Sequence, residues 1–203
     1  MKMTEKNNYK KKEKLAEAED YYQKGLVYAQ ESDADGAIEC WQKALKLNPD
    51  HFKALYDMGN AYYIGKGNFE KALPFWEKAL KINPEGVDVL YNIGNAYREE
   101  GEYDQALEYY KKILEITPED HESWNNMANT YNMKGETEQA IQCWKKAVEI
   151  KPNKVETWFN LAVKYRELKK YNQALEYCQK VLEIRPGIRE AQRLFDTIKR
   201  EKS

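Results

Sequence analysis

The chain of 203 residues has little of what most chemistry needs. It holds two histidines, His51 and His121, and three cysteines, Cys40, Cys143 and Cys178. The cysteine count is odd, and no cysteine or histidine is spaced from another as metal ligands are, so no zinc site is indicated. Free thiols in apolar slots imply a reducing compartment, and a cytoplasmic location is expected. No apolar run approaches the roughly 18 residues of a membrane span. The opening MKMTEKNNYKKKEK has no apolar stretch behind its charges, so no signal peptide is expected. A net charge of −1 gives no global pull toward nucleic acid. That charge is unevenly spread: Met1–Lys14 carries +4, Arg185–Ser203 carries +3 and the body between them −8. Without a nucleophile–base pair or a metal cluster, no enzyme and no cofactor is expected.

What is present is a period. Pro84, Pro118, Pro152 and Pro186 lie 34 residues apart, and Pro49 joins them if one residue is inserted before Pro84. Ala37, Ala72, Ala106, Ala140 and Ala174 form a second column, and Tyr28, Tyr62, Tyr97, Tyr131 and Tyr165 a third. A repeat of this size means stacked structural units. They read as 18–51, 52–86, 87–120, 121–154 and 155–188, within an array over 14–188. Residues 1–13 are Lys-rich without apolar periodicity and are expected to form a flexible tail. The extra residue of 52–86 falls in Ile64-Gly65-Lys66-Gly67-Asn68, which is expected to be a longer turn. That stretch lacks the frame of a phosphate-binding loop. Pro74 is expected just inside the second helix of its unit, where the first turn would tolerate it.

Each unit has two helical stripes. In 87–120, Leu90, Ile93/Gly94 and Tyr97 line the first helix. Gly101 breaks it, and Ala106, Tyr110 and Ile113 line the second, which Pro118 ends. Helices of three to four turns are too short to stand alone. Small residues (Gly25, Gly59, Gly94, Ala128, Ala162) mark the close contact between the two. Large ones fill the surrounding space: Trp41, Trp76, Tyr110 and Trp144 in one column, Leu55, Leu90, Trp124 and Trp158 in another. The apolar stripe of Ala191, Leu194/Phe195 and Ile198 makes 189–203 a capping helix.

Trp/Leu, Leu-Gly, Tyr, Ala, aromatic, Ala and Pro over 34 residues resembles the tetratricopeptide repeat, most clearly at Asn92-Ile93-Gly94-Asn95-Ala96-Tyr97. The resemblance covers about 170 residues. Departures are Ile113, Cys178, Val181, Lys169 in place of glycine, and the 35-residue second unit. It implies an all-α, right-handed superhelical solenoid of antiparallel helix-turn-helix hairpins, with first helices lining a concave groove. The implied function is a non-catalytic scaffold or adaptor that binds an extended peptide or helix of a partner protein. Self-assembly through the solenoid ends, giving a homo-oligomer, is the alternative.

Residues one step from the core stripe face the groove. There Asn92, Asn126 and Asn160 recur at 34 residues, as do Asn95 and Asn129, with Asn60 in the same column and Asn125 and Asn132 nearby. An amide both donates and accepts, so such a ladder can hold peptide main chain. Tyr22, Tyr56, Tyr91 and Phe159 add aromatics to the groove, and Arg98 and Arg166 could pair carboxylates. The terminal-carboxylate clamp of chaperone-binding relatives is not expected: Asn60 and Asn92 fit it, but Tyr56 stands in place of its Lys, and Glu122 and Asn126 in place of its final basic pair.

Overall fold

A computed structural model describes the backbone of residues 2–202 and side chains from residue 7 to residue 202. Among these residues the chain is all-α: α1 (Lys2–Gln30), α2 (Ala34–Leu47), α3 (Phe52–Asn60), a π-helical turn (Ala61–Gly65), α4 (Phe69–Ile82), α5 (Val87–Glu99), α6 (Tyr103–Ile116), α7 (His121–Lys134), α8 (Thr137–Ile150), α9 (Val155–Glu167), α10 (Tyr171–Ile184) and α11 (Arg189–Lys202). They form two compact units that divide between Ala96 and Tyr97, inside α5. In the first, α1 packs on α2 and α3 on α4. In the second, α7 packs on α8, α9 on α10, and α6, α8 and α10 each pack on the helix that follows.

Short polar caps start several of these helices. Asp33, Asn68 and Asp120 accept backbone N–H groups of Gly36, Lys71 and Ser123 at 2.9, 2.9 and 2.7 Å. His51 does the same through Nδ1 to Ala54. Between the helices of each hairpin one residue turns left-handed: Ser32, Gly67, Gly101, Gly135 and Lys169, all at positive φ. The cores are the alanine column and its neighbours, with Trp76, Tyr110, Leu55, Met58, Ile93 and Leu161 wholly buried. At Gly25 and Gly59 a Cβ would overlap the Trp41 and Trp76 indoles, which is why the small column is glycine there.

Four expectations change. The stretch expected as a flexible tail over 1–13 is helical from Lys2 onward, since it holds no Pro or Gly and propagates a helix already nucleated by packing at Ala18 and Tyr22; Met1 lies outside the described residues. The extra residue of the second unit is absorbed by the π turn at Ala61–Gly65, within the first helix of the hairpin and not by a longer loop. Pro74 is the sixth residue of α4, beyond the first turn, and it removes one ladder hydrogen bond from a helix whose face is exposed there. Trp124 and Trp158 are only half-buried, because each indole N–H reaches out to a turn carbonyl, Pro118 O at 2.9 Å and Pro152 O at 2.7 Å.

At the C-terminal end, α11 buries Ala191, Leu194 and Ile198 and turns Arg189, Arg193, Asp196 and Arg200 outward.

Candidate functional site

In the first unit the amides of α3 and α5 meet. Asn92 Nδ2 donates to Asn60 Oδ1 at 2.7 Å and to Tyr56 Oη at 3.2 Å. From below, the buried Trp76 indole N–H donates to the same Asn60 oxygen at 3.1 Å. The second unit repeats the arrangement. Asn129 Oδ1 accepts from Trp144 Nε1 at 3.0 Å and from Asn160 Nδ2 at 3.4 Å. An indole N–H can only donate, so it fixes which end of each amide faces the core. The inner amides, Asn60 and Asn129, have their oxygens engaged and keep NH2 groups. Their neighbours, Asn92 and Asn160, spend NH2 and keep oxygens. Each pair thus offers one donor and one acceptor.

The other expected site residues divide by position. Asn125 accepts from Thr157 Oγ1 at 3.0 Å, and Asn126 Oδ1 accepts from Arg98 Nη1 at 3.4 Å. Tyr91 and Asn95 lie half-buried on α5. Phe159 is half-buried and lines a cavity of about 340 Å³ with Val155, Val181 and Ile188. Arg166, expected to meet a ligand carboxylate, is instead forked onto Glu201 of α11 through Nε and Nη2. The side-chain oxygen of Asn132 is buried without a hydrogen-bond partner among the described residues. Tyr22, expected in the groove, is core: it is 6% exposed and its hydroxyl donates to Asp57 Oδ2 at 3.0 Å. Burial pushes the Asp57 carboxyl above its usual range and the Tyr22 phenol well above its own.

Residues not singled out from the sequence also line this face. A cavity of about 270 Å³ opens between α7 and α9, with His121, Glu122, Lys154 and Glu156 beside Asn125 and Asn126. Burial, then Lys151 and Lys154, hold the His121 pKa below the usual imidazole value. Glu122 and Glu156 stand 34 residues apart, as do Glu156 and Glu190, and that column was open to inspection. The Trp–Asn link had a signal too. Asn60 accompanies Trp76 and Asn129 accompanies Trp144, whereas Leu26 replaces the amide beside Trp41. There the indole N–H turns to the Tyr22 carbonyl instead, at 3.2 Å.

Paired short helices with small residues at their contact and a polar face on the first helix of each pair define a helical-hairpin repeat protein. The family model for the tetratricopeptide repeat matches residues 87–120, 121–154 and 155–187, and a second model for the same repeat matches 25–65 and 63–98. The chain belongs to the tetratricopeptide repeat family. Among solved structures, it is similar to the MamA protein (22% identity, 82% of this chain and 91% of that one, TM-score 0.75). It is similar to YrrB, described as a tetratricopeptide protein with an unusual peptide-binding site (23% identity, 85% and 89%, TM-score 0.70). It is also similar to a tetratricopeptide repeat protein of Parabacteroides merdae (19% identity, 92% and 75%, TM-score 0.79). At these identities the likeness concerns the fold. No curated protein matches the chain significantly. Among the described residues, no helix is long and apolar enough to cross a membrane.

Proposed function

We propose that this protein is a non-catalytic adaptor that holds an extended peptide segment of a partner protein on the amide face of its first helices. The fold is one that supports protein–protein interaction. The observation that carries the finer reading is the pairing of Asn60 with Asn92 and of Asn129 with Asn160. One donor and one acceptor per pair match the C=O and N–H of a main chain, whatever its side chains. Phe159 beside its cavity supplies an apolar slot for one side chain. Three buried, free cysteines support a cytoplasmic location.

The test replaces Asn92, Asn126 and Asn160 by Ala and leaves Asn60 and Asn129 to satisfy their indoles. A partner recovered with the unaltered chain and identified by mass spectrometry is titrated calorimetrically against both forms. Loss of binding at unchanged helicity is the expected result. Undiminished affinity in the triple variant would sink the amide reading.

A further inference from the structure

Among the described side chains of α1, the first that is packed is Ala18; every side chain from Asn7 to Glu17 is exposed. This stretch contains Tyr9-Lys10-Lys11-Lys12-Glu13-Lys14-Leu15, with Tyr9 65% and Leu15 40% exposed. Lys10 and Lys14 fall one turn apart on one face, and Lys11 and Leu15 on the adjoining stripe. A helix segment of this length without packing contributes almost nothing to its own stability, and a complementary surface would stabilise it.

The second unit presents such a surface. Glu122, Glu156 and Glu190 are each the second residue of their helices α7, α9 and α11, and all three are exposed. Glu156 is shared by the two cavities of about 270 and 340 Å³, so the acidic row runs along both. One cavity is lined by amides and holds the buried Nε2 of His121, which has no hydrogen-bond partner among the described residues. The other is apolar around Phe159 and Ile188. Lys154, 3.8 Å from Glu122, and Arg185 line the same cavities, so three carboxylates stand with two cations; this net acidic rim beside an apolar slot fits a short basic helix with one apolar anchor.

We propose that this face takes the N-terminal segment of a second copy of the same chain, with Lys10, Lys11 and Lys14 against the Glu122–Glu156–Glu190 row and Leu15 in the Phe159 slot. The occupant is the chain itself because its own exposed segment carries both required features: lysines at helical spacing and an unburied apolar side chain among them. The inference rests on the amide face being the binding face, and it makes self-association compete with partner peptide.

The experiment uses full-length chains. One variant carries Lys10→Glu, Lys11→Glu and Lys14→Glu; the other carries Glu122→Lys, Glu156→Lys and Glu190→Lys. Sedimentation equilibrium at low salt reads association. The unaltered chain is expected to gain mass with concentration and to lose that gain in high salt. Each variant alone should associate at least about tenfold more weakly, since three exposed attractions become repulsions. Mixing the two variants should restore association, because the charges are complementary again. A chain that stays monomeric at every concentration overturns the proposal, as does association that neither reversal weakens or that mixing fails to restore. If the chain is monomeric but partner binding still depends on Asn92, Asn126 and Asn160, only this inference fails and the adaptor reading stands.

Discussion

At the scale of single residues, the array is held by side chains that serve two helices at once. The clearest is Asn129, whose oxygen satisfies the Trp144 indole. Asn129→Ala leaves that buried N–H without a partner and should cost about 1–3 kcal/mol. Adding Trp144→Phe, which deletes the donor, should make the Asn129 change nearly silent, and a double-mutant cycle from urea unfolding measures the difference. The left-handed turn column offers the opposite sign. Lys169 and Ser32 hold φ of 58° and 63° where the equivalent positions are Gly67, Gly101 and Gly135. A side chain in this region costs roughly 1–2 kcal/mol, so Lys169→Gly and Ser32→Gly should each raise stability by about 1 kcal/mol, read as a shifted urea midpoint. The packing role of glycine and alanine was readable from the 34-residue columns. The inward use of the asparagines was not read, because a stripe one step from the core looks solvated until the position of the indole is known.

At the scale of elements, the docking of α1 on α3 depends on a small polar cluster. His51 caps α3 and lies 3.2 Å from Glu19 through Nε2, while Tyr22 bonds Asp57. Burial raises the Asp57 pKa in the folded chain, against opposing effects of the Tyr22 hydrogen bond, Lys53 and His51. The folded state therefore holds this proton more readily than the unfolded one. The associated stability is full below the unfolded value of about 3.9 and is lost as pH rises through the raised value. Asp57→Asn should thus be more stable than the natural chain at pH 7, with the gap closing toward pH 4. Glu19 and Glu201, both held below the usual carboxylate range, contribute with the reverse sign and are lost on acidification. Urea midpoints across that pH range, for both chains, check the crossing. Helix limits in the repeats followed from proline, glycine and apolar spacing. The π turn did not, since an inserted residue leaves the same mark in sequence whether it lengthens a loop or bulges a helix.

At the scale of the whole molecule, each packed face must be closed by something. In the second unit α11 does so with Ala191, Leu194 and Ile198. Ending the chain after Gly187 removes about 3–6 kcal/mol of burial by Leu194 and Ile198 alone. It also uncovers Val181, which packs with Ala191, so a lower calorimetric transition and concentration-dependent aggregation are expected. The amphipathic stripe of residues 189–203 was plain in the sequence. The exposed helix before Ala18 was not, because a run of lysines carries no apolar period from which to infer order. The five tryptophans also give the molecule an optical map of its own faces. Trp76 and Trp144 are buried and hydrogen-bonded to Asn60 and Asn129, while Trp124 and Trp158 are half-exposed beside turn prolines. Acrylamide should quench the second pair preferentially, whereas a ligand reaching Asn60 or Asn129 should perturb the emission of the first. Fluorescence without any attached dye can therefore report which side of the hairpins a partner has touched.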